Sequence, residues 1–549
     1  MNDLISPRLR HRVRTLSTIL GETMTRQHGQ EFLSKVEEIR LLAKANRQSV
    51  TDTENNERGD HEQLRQVLTQ LNGESLISVA RAFNQFLNLT NIAEQAETTE
   101  TAAGSQLEEL FTRLINKGIG RQRVLETIST IRCDLVLTAH PTEITRRTLI
   151  QKYNRIALAL NDVSEDHELD TQERLDLERL IAEVWFTDEI RTERPTPQDE
   201  AKWGYAVIEH SLWTAIPQLW KRLSKLTFKV TGETLPLSAA PVKVSSWMGG
   251  DRDGNPNVTA DVTKDVLRLA RWMAADLYLR DVEELLSQLS MSDCSHELAE
   301  LCPDGIEEPY RYILRSLRER LAATRAWAET TEPPEPGLIH SDADLIAPLQ
   351  LCFDSLLSCG MNIIADGLLM ETLIRANTFG VTLVKLDIRQ SSDKHIELLN
   401  AITEYLELGS YKYWSEKART DFLLQELNTP RPLIPDSWQP EGDAGEILKT
   451  FRLIAEDNGQ GIASYIISMA RRPSDVLGVV LLLRKSGVTR VLPVVPLFET
   501  LDDLENAAWT LECLLRTNWY TEYINGSQQI MIGYSDSAKD AGQMAASWA

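Results

Sequence analysis

Hydrophobic positions recur every three or four residues through most of the chain, which predicts a protein built mainly of helices. Near the start, Leu9, Val13, Leu16 and Leu20 follow this spacing. The same pattern predicts helical segments over 1–45, 62–98, about 105–131, 171–190 and 262–330, joined by polar or proline-rich stretches at 46–61, 330–337 and 428–446. Helices therefore surround whatever the remaining segments form.

Short apolar or β-branched runs lie between the helices and lead into charged or glycine-containing residues. Near-continuous hydrophobicity over this length is typical of buried parallel strands. The runs are 132–139, 241–247, 381–388, 476–483, 491–498 and 528–533. Strands that alternate with long helices indicate a parallel sheet or barrel, and a (β/α)8 barrel needs eight. The sequence predicts a mostly α fold with an incomplete (β/α)8 TIM-type barrel, about six of eight strands, surrounded by many extra helices.

Two domains are expected from this distribution. A helical region over 1–130 precedes a partial barrel with helical insertions over 131–549. Within the first predicted strand, Leu135 to Thr138 lead to His140 and Pro141, and proline cannot donate to a sheet ladder. A histidine at the carboxyl end of a buried strand lies where α/β proteins place catalytic groups. From this pattern alone, a structural histidine is an equally open interpretation.

Seven motifs follow one another in a single order along the chain. They are LVLTAHPTEITRR (135–147), WFTDEIRTERPTPQDEA (185–201), SSWMGGDRDGNPNVT (245–259), FGVTLVKLDIRQSSDKH (379–395), SMARRPSDVLGVVLLLRKSG (468–487), LPVVPLFETLDDL (492–504) and MIGYSDSAKDAG (531–542). In this order they resemble the bacterial-type phosphoenolpyruvate carboxylase family, from about residue 130 to the last residue. The family continues beyond the point that matches Ala549, so we expect a partial sequence that holds the family's N-terminal and central parts and lacks its C-terminal part.

The resemblance implies a carbon–carbon lyase that converts phosphoenolpyruvate and bicarbonate to oxaloacetate and phosphate, through carboxyphosphate and a metal-bound enolate. It also implies Mg²⁺ or Mn²⁺ as cofactor, an anaplerotic role, allosteric control and a cytoplasmic homotetramer when full length. His140 would be the general base on carboxyphosphate, or its stabiliser. Two alternatives stay open: another phosphoenolpyruvate-using phosphotransferase with a phosphohistidine, and an inactive truncated fragment. We expect little or no turnover from residues 1–549 alone.

Two acidic residues follow predicted strands about one strand–helix–strand unit apart. Glu499 ends the run before Thr500, and Asp536 follows the run at 528–533. In a parallel barrel both carboxylates would point into one mouth, and paired hard oxygen ligands suit Mg²⁺ or Mn²⁺. Acidic residues that cap helix starts are the alternative. The resemblance implies that both residues bind the metal.

Three basic residues are the remaining candidates. Lys539 lies three positions after Asp536, and the resemblance makes it an active-site residue, against the alternative of a solvated lysine paired with Asp540. Arg389 follows a predicted strand, and its planar guanidinium matches phosphate oxygens. The resemblance implies that it binds the substrate phosphate, and Asp387 could orient it.

The GGDRDGNPN stretch, 249–257, contributes the third candidate. It matches neither an EF-hand nor a phosphate-cradling loop nor a dinucleotide fingerprint. Its glycine pair permits a close approach of the backbone to a ligand. Because the resemblance places this loop in the active-site region, Arg252 is a candidate substrate-binding residue, with neutralisation by Asp251 and Asp253 as the alternative.

Composition narrows the class of partner. The chain has 549 residues, a formal charge of −23 and an ordinary globular content of 42% hydrophobic residues. This charge argues against nucleic acid or an anionic membrane as partner, and it requires a locally basic site for anionic substrates. The longest apolar run, 476–483, is too short to cross a bilayer. The six cysteines form no CxxC pair and predict reduced, mostly buried thiols in a cytosol.

Overall fold

Helices make up most of the structure. It is a computed structural model, and it describes residues 6–49, 57–101, 103–138, 147–160, 163, 169–188, 195–330, 332, 336–435, 437–456 and 458–549. The α-helices, in chain order, are α1 Pro7–His28, α2 Gln30–Ser49, α3 Glu57–Thr69, α4 Gly73–Thr101, α5 Ala103–Asn116, α6 Arg121–Thr130, α7 Arg147–Ala159, α8 Thr171–Trp185, α9 Pro197–Val207, α10 Trp213–Thr231, α11 Ala260–Gln288, α12 His296–Glu300, α13 Pro309–Ala328, α14 Asp342–Ser358, α15 Asn362–Ala365, α16 Leu368–Phe379, α17 Ser392–Tyr405, α18 Glu416–Leu427, α19 Gly442–Glu456, α20 Pro473–Ser486, α21 Leu501–Leu515, α22 Asn518–Ile524, α23 Tyr534–Ala541 and α24 Gln543–Trp548.

Short helices of other types join some of these elements. A π-helical turn, Ile208–Leu212, connects α9 to α10, and 3-10 turns lie at Gly380–Thr382 and Tyr411–Tyr413. The strands are β1 Cys133–Leu137, β2 Val242–Ser246, β3 Lys385–Ser391, β4 Ile462–Ser468, β5 Val494–Phe498 and β6 Met531–Ile532. Among the described residues, no helix has both the length and the apolar character that a bilayer crossing needs.

The chain forms two compact units. The first contains the described parts of 1–117 and 142–194, and the second those of 118–141 and 195–549. The domain boundary predicted at residue 130 stays a prediction.

The first unit is a helical assembly with its own apolar core. Residues on the inner faces of α1, α4, α7 and α8 meet there, including Leu16, Ile19 and Trp185. Arg12 is fully buried beside this core, and its Nε donates to the carbonyl of Val163 at 3.2 Å. Its Nη1 lies 4.0 Å from the Glu97 carboxylate, and a hydrogen bond together with a nearby opposite charge reduces the cost of burying a cation.

Helix boundaries in the first unit differ from the predicted ones. The single helix predicted over 1–45 is broken at Gly29, where φ is +83°, a conformation that ends α1 without a Cβ penalty. The loop predicted over 46–61 is also too long, because α2 continues to Ser49 and α3 begins at Glu57. A polar composition favours a loop, but it does not by itself exclude a helix.

A six-stranded parallel sheet, curled as a half-barrel, organises the second unit. Its strands lie in sequence order from β1 to β6, and each pairs with the next in parallel. The helices between strands make the crossover connections that parallel pairing requires. This confirms the predicted incomplete barrel surrounded by helices.

One predicted strand is wrong, and one real strand was missed. The run 476–483 lies inside α20, which begins with Pro473 at its first position and ends at Gly487 with φ +112°. Every residue of this run is buried, so the helix is apolar on all sides and its sequence shows no helical periodicity. The missed strand is β4, Ile462–Ser468, which supplies the sixth strand instead.

The first strand is also more exposed than predicted. Leu135 and Val136 each retain 40% of their accessible surface, although their sequence reads as a buried strand. Among the described residues, β1 pairs only with β2, so it is an edge strand with one open side. Cys133, in the same strand, is exposed as well. The six cysteines were predicted to be mostly buried, which is wrong, because only Cys352 is buried.

Candidate active site at the carboxyl ends of the strands

Arg389 lies near the carboxyl end of β3 and is held by the loop that follows β2. Its Nε and Nη2 donate to the two carboxylate oxygens of Asp251 at 2.7 and 2.9 Å. This is the bidentate arrangement that gives the strongest guanidinium–carboxylate pairs. Burial opposes the charge of Arg389, but the Asp251 hydrogen bond and charge raise its pKa above the ordinary value. The cation is therefore permanent.

Backbone contacts fix the same loop against β3. The N–H of Arg389 donates to the carbonyl of Gly250 at 3.0 Å, and the N–H of Arg252 donates to the carbonyl of Arg389 at 2.9 Å. Gly250 is needed because a Cβ there would lie 2.1 Å from the carbonyl oxygen of Asp387. The glycines were interpreted as space for a ligand, but Gly250 makes room for the protein's own strand.

The Arg389 guanidinium also lies 4.9 Å from the centre of the Trp247 ring, within cation–π range. The indole Nε1 of Trp247 donates to Asp387 at 3.2 Å, and Ser464 donates to the same carboxylate at 2.6 Å. The sequence offers Asp387 as the residue that could orient Arg389. The structure gives that position to Asp251, while Asp387 fixes the indole against which Arg389 rests.

Glu499 directly follows β5 and faces Arg389. Its carboxylate lies 4.0 Å from Nη1 of Arg389, and its side chain is 12% exposed. Burial raises the pKa of Glu499, the charge of Asp253 raises it further, Arg389 lowers it, and Asp536 raises it. The cap of α21 is Thr500, whose hydroxyl accepts from Asp503 N, so Glu499 is not the helix cap that the alternative interpretation required.

Asp536 and Lys539 lie on α23, after β6. Because Gly533 N–H donates to the carbonyl of Phe498 at 3.0 Å, this turn meets the residue before Glu499. A Cβ on Gly533 would be 3.0 Å from Cγ of Glu499. Asp536 therefore starts from the same edge of the sheet, although its side chain is 55% exposed and 3.4 Å from the Lys539 ammonium.

Lys539 is 77% exposed, and its partner is Asp536. The alternative partner, Asp540, instead accepts from the N–H of Leu501 at 3.1 Å.

Arg252 points into the protein beneath the loop. Its guanidinium donates to the carbonyl of Gly250 at 2.9 Å and to the hydroxyl of Thr263 at 2.6 Å. Burial lowers its pKa. The carboxylates of Asp251 and Asp253 lie within ion-pair distance of Arg389, and the charge of Asp251 also acts on Arg252, partly opposing the effect of burial. A substrate-binding role for Arg252 stays a prediction.

His140 lies outside the described residues, so its predicted place at this edge stays a prediction. The strand before it is described: the carbonyl of Leu137, at the end of β1, accepts from Trp247 N–H at 3.0 Å. The end of β1 and the start of the Trp247 loop are therefore hydrogen-bonded to each other.

Three residues of this edge were missed as site residues in the sequence: Trp247, Asp251 and Asp253. All three belong to the SSWMGGDRDGNPNVT motif, directly after β2. Their position after a strand was a usable signal, since side chains that follow parallel strands meet at one edge.

Comparison with known proteins identifies the family. A family model described as "Phosphoenolpyruvate carboxylase" matches residues 9–549. The chain belongs to the phosphoenolpyruvate carboxylase family. Proteins named phosphoenolpyruvate carboxylase from Hahella chejuensis and Pseudomonas aeruginosa are 49% and 51% identical to it, over 99% of this chain. One from Marinobacter nauticus is 47% identical over the same share.

This member of the phosphoenolpyruvate carboxylase family spans 63% of the length of the Hahella and Pseudomonas aeruginosa relatives and 62% of the Marinobacter one. All seven motifs lie within the matched region.

The donor set fits a divalent cation that takes its remaining ligands from elsewhere. Glu499 offers carboxylate oxygens. Burial and then the charge of Asp253 raise its pKa, Arg389 lowers it and Asp536 raises it, so a bound cation would favour the charged form of this carboxylate. Within the described parts of the chain, no group of three or more His, Cys, Asp or Glu side chains is arranged to hold a metal. Two carboxylates with water and substrate oxygens are the usual coordination of Mg²⁺.

Proposed function

We propose that this chain supplies the phosphoenolpyruvate- and metal-binding part of an enzyme that joins phosphoenolpyruvate to bicarbonate, giving oxaloacetate and phosphate. The observation that supports it best is the convergence of Arg389 and Glu499. These groups come from separate strands and lie 4.0 Å apart at the carboxyl edge of the sheet. Family membership supports the same reaction.

Arg389 would bind the phosphoryl group of phosphoenolpyruvate. Its Nε and Nη2 already donate to Asp251, while Nη1 is the nitrogen nearest Glu499. A phosphate can therefore bind at Nη1 or replace Asp251 on the bidentate edge. Trp247 keeps the guanidinium plane in place in either case.

Glu499 and Asp536 would hold Mg²⁺ or Mn²⁺. When bound, the cation would supply positive charge close to the carboxylate and enol oxygen of the substrate. These two side chains differ in freedom, since Glu499 is 12% and Asp536 55% exposed. Glu499 would set the position of the site and Asp536 would close on it.

The proposed chemistry begins with attack of bicarbonate on phosphorus, which gives carboxyphosphate and the enolate of pyruvate. His140 would remove the carboxyl proton of carboxyphosphate, or stabilise this intermediate, so that it breaks down to CO2 and inorganic phosphate beside the enolate. The enolate carbon would then attack CO2, and the new carbon–carbon bond gives oxaloacetate. Lys539 would hold the bicarbonate-derived group. Water must be kept away, because a protonated enolate becomes pyruvate.

The test of the metal site needs only the chain itself. Mn²⁺ binding to residues 1–549, followed by electron paramagnetic resonance, should weaken about 10- to 100-fold in Glu499→Gln and in Asp536→Asn. Glu512→Gln, on the exposed side of α21, is the control and should bind as the parent does. Equal binding by all four proteins would contradict the metal site.

The test of the reaction needs an enzyme of full family length that contains this chain. Oxaloacetate formation, coupled to NADH oxidation, should fall sharply in His140→Ala. An unchanged rate would remove His140 from the mechanism. The 1–549 chain should show little or no turnover beside it, because β1 and β6 are the edges of an open sheet among the described residues. Equal activity of the two proteins would contradict this expectation.

For the full-length enzyme we propose a cytoplasmic homotetramer under allosteric control, on the basis of family membership alone. Light scattering on the full-length protein tests the tetramer, and a monomer at micromolar concentration would contradict it.

A further inference from the structure

Helix α23 is attached at both of its ends to the segment that contains Glu499. Before the first turn of the helix, the N–H of Gly533 donates to the carbonyl of Phe498 at 3.0 Å. In the last turn, Oδ2 of Asp540 accepts from the N–H of Leu501 at 3.1 Å. The two contacted residues flank Glu499 in sequence, and the two contacting residues flank both candidate site residues of α23.

Asp540 binds a donor that the capping box of α21 leaves over. In that box, Asp503 accepts from the N–H groups of Glu499 and Thr500 at 3.4 and 3.0 Å. The N–H of Leu501, the first residue of α21, goes to Asp540 instead. The first N–H groups of a helix have no partner within it, and a carboxylate from outside is a favoured acceptor for them. The Leu501–Asp540 bond therefore joins two helices.

The position of Asp540 along α23 relates it to Asp536. They are four residues apart, about one helical turn, so they lie on the same side of the helix. The Asp536 side chain is 55% exposed, and its ion pair is with Lys539 of the same helix. Its distance from Glu499 is therefore set by the way in which α23 as a whole is attached.

We propose that Asp540 is a positioning residue for the candidate metal site. Through its bond to Leu501 it holds α23 so that the Asp536 carboxylate stays within reach of a cation on Glu499. This role rests on the proposed metal site, and it gives Asp540 no contact with metal or substrate. Two carboxylates that share a cation repel each other until it binds. An attachment that holds them together beforehand reduces the free energy lost on ordering the site.

Mn²⁺ binding to the intact 1–549 chain, followed by electron paramagnetic resonance, tests this role. Asp540→Ala removes the acceptor of the Leu501 N–H and should weaken binding about 10-fold, the lower end of the range for outer partners of metal ligands. Asp540→Asn keeps an acceptor oxygen and should bind within about threefold of the parent, because a solvent-exposed charge acts weakly. Equal weakening by both substitutions would make Asp540 a ligand or a charge, and would overturn the positioning role.

A double substitution separates positioning from general destabilisation. If Asp540 acts through Asp536, Asp540→Ala should not weaken Mn²⁺ binding further in a chain that already carries Asp536→Asn. Independent effects that multiply would overturn the proposal. The control is Asp502→Ala, which removes another acid from the first turn of α21. In the described part of the chain this side chain has no hydrogen bond to α23, and its loss should leave binding unchanged.

The donor can be removed as well as the acceptor. Leu501 is the first residue of α21, a position where proline is well tolerated. Thr500 before it has the extended backbone that a following proline favours, with φ −92° and ψ 165°. Leu501→Pro therefore deletes the N–H with little strain and should weaken Mn²⁺ binding as Asp540→Ala does. Binding equal to the parent's in this variant would overturn the role, whether or not Asp540→Ala folds.

The remaining outcomes distinguish this role from the metal site itself. Weakening in Glu499→Gln and Asp536→Asn, with unchanged binding in Asp540→Ala, would keep the metal site and overturn the role of Asp540. Unchanged binding in all three variants would contradict both. A lower Tm of Asp540→Ala at unchanged Mn²⁺ affinity would show a purely structural contact, and would also overturn the proposal.

Discussion

The two sides of the candidate site are built differently. On the Arg389 side, one guanidinium is fixed by a bidentate carboxylate, an indole face and two backbone hydrogen bonds, and its side chain is 16% exposed. On the Asp536 side, a short helix presents an acid and a lysine that are 55% and 77% exposed and touch mainly each other. The first side is preorganised for an anion, whereas the second depends on what it binds.

The largest expected effect is on the pH dependence of stability, and it comes from a buried histidine on the helix that follows β3. His395 lies on α17, next to β3, and its Nε2 is 2.8 Å from the Tyr465 hydroxyl. Burial lowers its pKa from 6.5 to about 3, so below pH 6.5 the unfolded chain takes up a proton that the folded chain refuses. Stability should therefore be lost as pH falls from about 6.5 to 3, by on the order of 4 kcal/mol.

His395→Gln should flatten that part of the stability–pH curve, measured by urea unfolding at several pH values. The control is His296→Gln, whose side chain is 86% exposed and which should leave the slope unchanged. A slope in His395→Gln equal to that of the parent would show that this histidine is not held neutral.

The next largest effect is the loss of unfolding free energy when the backbone beside Asp251 is forced to move. Gly250→Ala places a Cβ 2.1 Å from the Asp387 carbonyl oxygen, so the loop or β3 must move. We expect a loss of about 3 kcal/mol in the free energy of unfolding. Gly120→Ala, with no atom within 4 Å of its Cβ and at the N-cap of α6, should cost less than about 1 kcal/mol. Similar losses in the two variants would mean that this contact does not hold the loop.

A smaller difference in stability is expected between substitutions of two neighbouring acids. Asp251→Asn removes the charge from a bidentate pair on a side chain that is largely buried, and should cost about 2 kcal/mol by denaturant unfolding. Asp253, at 3.8 Å from Arg389 and 33% exposed, should cost less than about 1 kcal/mol when replaced by Asn. If Asp253→Asn costs more, the anchoring carboxylate has been misidentified.

The smallest change in stability is expected on the exposed Asp536 side of the site. Lys539→Met breaks a solvent-exposed pair 3.4 Å long and should change the free energy of unfolding by no more than about 0.5 kcal/mol. A thermal or chemical melt measures this. A loss above about 1 kcal/mol would show that α23 depends on the pair, and the contrast between the two sides would not hold.

Sequence reasoning succeeded where hydrophobic runs and strand ends coincide. β5 and Glu499 are the clearest case, since a buried run leads straight into an acid at the edge. It failed for α20, because a helix buried on every side carries no periodic signal to distinguish it from a strand. β4 was missed because IASYIIS contains two serines and a tyrosine. Asp387 accepts from Ser464, and His395 is hydrogen-bonded to Tyr465, so two of these polar groups are satisfied from elsewhere in the chain.

The partner of Arg389 shows a further limit. Asp387 was the natural choice in sequence because it lies two positions away on the same strand. Residues two apart on a strand share a face. The Asp387 carboxylate, however, accepts hydrogen bonds from Trp247 and Ser464. Asp251 reaches Arg389 instead, through a loop that turns back onto β3. Such a return depends on the close approach of Gly250 to the Asp387 carbonyl, a contact between residues far apart in sequence.

The Asp251 carboxylate accepts hydrogen bonds from the same two nitrogens of Arg389 that an oxyanion would bind. Any ligand that takes over Nε and Nη2 of Arg389 must displace a carboxylate whose neighbours on both sides, Gly250 and Arg252, are bonded to the β3 backbone. Ligand binding at Nε and Nη2 of Arg389 should therefore change how strongly the Arg252 amide is protected against hydrogen exchange. The amide becomes an intrinsic reporter of ligand binding that requires neither turnover nor a label.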